Sequence, residues 1–190
     1  MFLVTKPSRE RIDAFLTSQR NSGFSYPELG FTRSRAPDGY VVDHNRVYLG
    51  RGRGALHIAK LALQSWRMFD LGWVRAFPDA APIEPGINVA VQVHHLGFWS
   101  LNACRVVYIF DEKDHYGFAY GTLHDHAEKG EERFSVEIFD DGSVWYDILA
   151  FSKPNQWQAG IARPISRLLQ KRFARDSKQA MVRVTAGRTG

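Results

Sequence analysis

His124, Asp125, His126, Glu128, Glu131 and Glu132 stand together between two aromatic-rich runs, in the stretch YGFAYGTLHDHAEKGEERFSVEIF. On an extended strand, His124 and His126 share a face. Two neutral imidazoles with Asp125, Glu131 or Glu132 make a reasonable ligand set for a divalent metal. The spacing of a zinc motif is absent, however: there is no His-Glu-x-x-His and only one cysteine, Cys104. The stretch therefore reads as the polar turn of a hairpin, with Gly130-Glu131-Glu132 opening the next strand, or as the polar lip of a cavity. No metal is expected. Acid–base chemistry, if present, has His44, His124, His126, Glu131 and Asp147 as its candidates. It requires two of them within hydrogen-bond reach of one bound molecule.

Other polar groups invite similar readings. Gly50, Gly52 and Ala55 satisfy G-x-G-x-x-A between a strand and a helix, the dinucleotide fingerprint. That fingerprint needs a parallel βαβ unit, which the downstream pattern does not supply, so no nucleotide cofactor is expected. Exposed N–H groups at the helix start, beside Arg51 and Arg53, suit an anion. Asp43, His44, Asn45 and Arg46 form a polar block inside a strand. Alternation sends His44 and Arg46 to one side, Asp43 and Asn45 to the other. One pair could supply the few placed polar groups of a mostly apolar pocket. His94 and His95 must split in the same way. Trp99, Phe118, Tyr120, Trp145 and Phe151 are aromatic candidates for a core or for the lining of a hollow.

Helices and strands must position these groups. The chain has 190 residues, of which 44% are hydrophobic, 24% charged and 13% aromatic. That length buries roughly 70% of the unfolded chain's surface and suits one domain spanning 1–190. A single cysteine excludes an intramolecular disulfide. No signal-peptide pattern and no membrane-span-length apolar run is visible, so the cytoplasm is the expected location. Residues 1–38 read as a helix capped by Ser8, followed by a loop rich in Gly, Pro and Ser. Ala55, Ile58, Ala59, Ala62, Leu63, Trp66 and Phe69 fall on one helical face. From Trp73 the pattern turns to strands separated by short polar links, which favour antiparallel neighbours. The chain closes on a helix within 154–185, starting near Pro154 or Pro164, with Ile165, Leu168, Leu169 and Phe173 as its apolar stripe. Arg163, Arg167, Lys171, Arg175 and Lys178 form a basic stripe, suited to solvent or to the peripheral surface of an anionic membrane. No nucleic-acid motif accompanies it. The order of strand, helix, six strands and long helix predicts a two-layer α+β domain.

DGYVVDHNRVYLGRG, WRMFDLGWV, NACRVVYIFDE, FAYGTLHDHAEKGEERF and VWYDILAFSKP, in that order, resemble the DUF1990 family, also called UPF0548. The family is uncharacterised. The resemblance implies a Bet v 1-like or START-like helix-grip fold: a curved antiparallel sheet of about seven strands wrapped around a long C-terminal helix. Such domains often enclose an apolar ligand cavity. The resemblance thus implies a cofactor-free domain that binds a small hydrophobic molecule or lipid, with His44, Arg46, Trp99, Phe118, Tyr120, His124, Trp145 and Phe151 as candidate lining. A hydrolase or cyclase on the same fold and a membrane-surface module are the alternatives. Where the family usually shows Thr-Leu-x-Gly-His, Asp125 takes the glycine position. Ligand identity and oligomeric state are not encoded in any motif.

Overall fold

Aromatic and β-branched residues at every second position favour an extended pleat with one buried face. The middle of the chain obeys this rule. The computed structural model describes residues 1–34, 37–79, 81–155 and 163–187. Its strands are β1 (Phe2–Leu3), β2 (Val41–Arg51), β3 (Val74–Phe77), β4 (Asn88–His95), β5 (Phe98–Asp111), β6 (His115–Thr122), β7 (Glu128–Ile138) and β8 (Ser143–Pro154). Its α-helices are α1 (Arg9–Ser18), α2 (Gly52–Gln64) and α3 (Arg163–Ala186), with short 3-10 turns at Phe31–Arg33 and Arg67–Phe69.

Every strand pairing is antiparallel. The order across the sheet is β2-β8-β7-β6-β5-β4-β3, with β1 laid against the start of β5. Register slips between Tyr48 and Gly50 in β2 and between Val106 and Tyr108 in β5. Such bulges add twist and bend, and the sheet curls into a half-barrel around α3. This is the helix-grip arrangement.

α3 is held at both lips of the curl. On the β2–β8 side Arg167 forms a two-pronged pair with Asp43, and Gln170 Nε2 donates to Ser152 Oγ at 3.0 Å. On the β3 side Trp73 Nε1 donates to Asp176 at 3.0 Å, and the Arg172 guanidinium sits 4.2 Å from the Trp73 ring centroid. Between them, Tyr146 and Ser177 share a buried hydrogen bond of 2.9 Å.

α2 fills one end of the concave face. Ala55, Leu56, Ala59, Ala62 and Leu63 are buried, in one cluster with Tyr116, Phe118, Phe134, Val136 and Tyr146. The helical face anticipated through Phe69 is interrupted: α2 stops at Gln64, and Trp66 takes a left-handed φ of 55°. That turn lets two large rings enter the core at different angles. Trp66 meets Phe118 at 5.0 Å, and Phe69 meets Phe134 at 5.5 Å.

One further feature departs from the expected layout. α1 packs on the convex face, where Ile12 and Phe15 join Phe77, Ala90, Leu101, Ala103 and Leu123. Both faces of the sheet are therefore partly covered, rather than one. Ser8 caps α1 through its side chain, as its position suggests. Of the two starts expected for the closing helix, the one near Pro164 is taken: α3 begins at Arg163, while Lys153 and Pro154 still pair with Lys129 and Glu128 as the end of β8. Among the described residues no helix is long and apolar enough to cross a membrane.

Candidate functional site

Along β7, Phe134 and Val136 are wholly buried on the concave face. Residues two apart share a face, so Glu132 points the same way. Its cross-strand partner is Tyr120, and Tyr120 Oη donates to Glu132 Oε2 at 2.7 Å. Burial pushes the Glu132 carboxyl up to about 7, against the opposing hydrogen bond from Tyr120, and the Asp43 charge adds to the rise. Burial likewise raises the Tyr120 phenol well above its ordinary value, helped by the Glu132 charge. A carboxylate and a phenol thus face each other on a wall made mostly of hydrocarbon.

The space they face is hollow. A cavity of about 710 Å³ lies between the concave sheet and α3, within the range of small-molecule sites. Val91, Val93, Phe69, Ile148, Leu169 and Phe173 form its apolar walls; Ser100, Asn102 and His95 add polar points. The rings of Phe69, Phe134 and Phe173 meet at its floor, with centroids 5.1 to 6.3 Å apart. They separate the filled end under α2 from the empty one. Phe2, Leu96, Phe98 and Ile165 also border the cavity and are all exposed. Leu96 is 75% exposed and has a left-handed φ of 49° in the β4–β5 turn. A bulky residue held in that conformation is unusual, and here it projects hydrocarbon beside the cavity mouth.

The cluster around His124 disperses. His124 is exposed. Asp125 accepts from Gln19 Nε2 at 2.7 Å, which ties the β6–β7 turn to the end of α1. Its φ is not positive, so the family's glycine position is here a side-chain anchor rather than a left-handed turn. The backbone N–H of Glu128 donates to His126 Nδ1 at 2.9 Å, and burial pushes His126 down to about 4. Glu131 faces the convex side. It accepts from Tyr26 Oη at 2.8 Å, from the N–H groups of Gly30 and Thr32, and from the Thr32 hydroxyl. Glu131 is a clamp on the N-terminal segment. Gly121, opposite it, must be glycine, because a Cβ there would stand 2.1 Å from Tyr26 Oη. Among the described residues, no three His, Cys, Asp or Glu side chains converge as a metal-holding group.

Of the candidate lining, Tyr120 faces the cavity, while His44 and Phe151 border it with their rings engaged elsewhere. His44 Nε2 lies 2.6 Å from Asp147, whose other oxygen accepts from Arg133 on the outer face. The Phe151 ring packs edge-on against Tyr26 and Tyr40. Five candidates lie away from the cavity, the exposed His124 among them. Arg46 is exposed and covers Phe139 and Trp145. Trp145 packs against Tyr48. Trp99 stacks on His94, with centroids 4.2 Å apart. Phe118 is sealed in the filled end against Trp66 and Phe134. Odd positions of β8 and even positions of β2 turn outward, which explains Trp145 and Arg46. The Arg51 and Arg53 guanidinium groups are occupied by neighbouring loops: Arg51 donates to the Asp141 carbonyl, and Arg53 donates to the Lys113 carbonyl and pairs with Asp114. At the start of α2 the Gly52 N–H is also engaged, donating to the Gly142 carbonyl at 2.8 Å. The basic stripe is likewise drawn inward at Arg167 and at Lys178, whose ammonium reaches Asn45 at 3.3 Å. The Arg163 side chain lies outside the described set.

By sequence Glu132 is a candidate metal ligand only and not part of the candidate cavity lining, although the signal for its inward position is present. In EERFSVEIF, Phe134, Val136 and Ile138 mark the even positions as inward, and Glu132 shares their parity.

A family model described as a domain of unknown function, DUF1990, matches residues 25–180 of the chain. A UPF0548 protein of Dictyostelium discoideum is 33% identical over 205 residues, covering 96% of this chain and 95% of that protein. Among solved structures, a START superfamily protein from Mycobacterium smegmatis superposes with a TM-score of 0.54 at 16% identity, covering 80% of this chain and 100% of the other. A norcoclaurine synthase point mutant from Thalictrum flavum, in complex with a transition state analogue, gives a TM-score of 0.55 at 11% identity, covering 82% and 100%. At these identities the structural likeness is one of fold.

Proposed function

The chain belongs to the DUF1990 family, and from that premise and its helix-grip fold we propose that residues 1–190 act as one domain that binds a small hydrophobic molecule or lipid between the sheet and α3. The observation that carries this reading is the cavity of about 710 Å³, walled by hydrocarbon and bordered by exposed apolar side chains. Protein interiors are close-packed, and a void of this size deprives its lining of dispersion contacts. A guest restores those contacts and withdraws apolar surface from water, which is worth about 25 cal/mol per Å². The exposed Phe2, Leu96, Phe98 and Ile165 offer an apolar guest a graded path inward.

The test is a titration with Nile red, a neutral dye that brightens in apolar surroundings. One saturable site with a blue-shifted emission is expected, and non-fluorescent hydrophobes should displace the dye. A flat titration would remove the reading.

A further inference from the structure

We propose that Glu132 and Tyr120 form the recognition point of this cavity for a protonated amine carried on an apolar body. The inference rests on the cavity reading and specifies the chemical class of its ligand. Tyr120 Oη donates to Oε2. Among the described residues no protein donor is hydrogen-bonded to Oε1. Oε1 is thus open to a donor carried by a guest in the cavity.

Charge narrows the choice. The groups facing Glu132 come from every wall. On β6, Tyr120 stays protonated; so does the Cys104 thiol on β5, which burial raises. On β8, Tyr146 is paired with Ser177. On β2, Asp43 is satisfied by Arg167 of α3. Lys178, also on α3, donates to Asn45. The exposed Lys171 of α3 and His126, which burial holds toward its neutral form, also line the cavity, and neither is hydrogen-bonded to Glu132. His95 on β4 is held toward its neutral form by burial, and its Nδ1 is buried without a partner. No protein cation pairs with Glu132 among the described residues. A half-buried carboxylate on an apolar wall without a counter-charge is unfavourable, and an ion pair relieves it. A fatty anion would set carboxylate against carboxylate. An ammonium supplies both the missing donor and the missing charge, while its hydrocarbon packs on Phe69, Ile148, Leu169 and Phe173.

This arrangement predicts a proton-linked signature. With Glu132 at about 7 when the cavity is empty, binding an ammonium should release roughly half a proton at pH 7. The experiment compares n-octylamine with its neutral analogue n-octanol by titration calorimetry, in buffers of different ionisation enthalpy. Octylamine should bind at least about tenfold tighter than octanol to the native protein, release protons, and weaken as pH falls from 8 to 5. In E132Q the preference should vanish, octylamine falling to the level of octanol. Octanol bound with no preference for octylamine, or a preference that survives E132Q, overturns the amine assignment and leaves the cavity reading standing. Failure of both ligands and of Nile red overturns both.

Discussion

Two adjacent glutamates carry opposite duties because a strand reverses its facing at every residue. Glu131 is 2% exposed on the convex face and is met by Tyr26, Gly30 and Thr32. Replacing it with glutamine turns an amide N–H toward groups that donate. E131Q should therefore lower unfolding stability by about 1–3 kcal/mol in urea titrations. Glu132 behaves inversely. Its folded value lies near 7, above the ordinary 4.5, so the folded state holds that proton more tightly than the unfolded chain. The stabilisation this brings is whole below about pH 4.5, falls as pH rises, and is gone above about pH 7. The native protein should accordingly lose on the order of 3 kcal/mol between those limits through this one group. E132Q, which cannot ionise, should match it near pH 4 and exceed it at pH 8. Melting curves of the two proteins across that range check the sign. Parallel curves would show that Glu132 is ordinary in both states.

At the scale of elements, α3 is unevenly supported. Ala174, Ser177, Ala180, Met181 and Thr185 are buried, whereas Leu168 is 68% exposed and Ile165 39%. The stripe Ile165, Leu168, Leu169 and Phe173 is plain in the sequence. Helical spacing reveals that an apolar face exists but not whether anything meets it, and here its first half spans the hollow. The same limit explains other gaps between sequence and structure. Short polar links fixed the antiparallel strands, but nothing local in RERIDAFLTS indicates which face of the sheet α1 would cover. A left-handed Trp66 is set by the rings it must avoid and meet, not by helix propensity. The first half of α3 is held largely by polar contacts, chiefly the Asp43–Arg167 pair, whose side chains are 30% and 33% exposed. Solvent screens a pair of that exposure, so D43N should cost less than about 1 kcal/mol overall. Its local effect should be larger. Amide exchange should quicken around Leu168–Gln170 and stay slow around Ala180–Met181, and Nile red should enter faster. Uniform exchange along α3 would argue that the helix is held as one unit.

For the whole molecule, the decisive asymmetry is that one concave sheet is packed at one end and hollow at the other. Under α2, large aromatic rings fill the curl. Toward Ser100, Asn102 and Ser152 the inward positions become small or polar, and helix-to-sheet distance is held open by the contacts at both lips. A protein selected for stability alone would fill that end, since each added methylene gains dispersion contacts and removes apolar surface from water. Ala150 offers a way to do so. It lies on β8 directly across from Glu132 and borders the cavity. Phenylalanine there has room to extend into the void rather than into packed neighbours, so the usual penalty of overpacking is avoided. A150F should leave the fold intact and raise the denaturation midpoint, by roughly 1 kcal/mol if the ring is half accommodated. It should also abolish saturable Nile red binding. Gain of stability with loss of binding would mean that the emptiness is maintained for a guest. Loss of both would show that the space is narrower than the geometry gives. Retention of binding would move the guest away from the Glu132 wall.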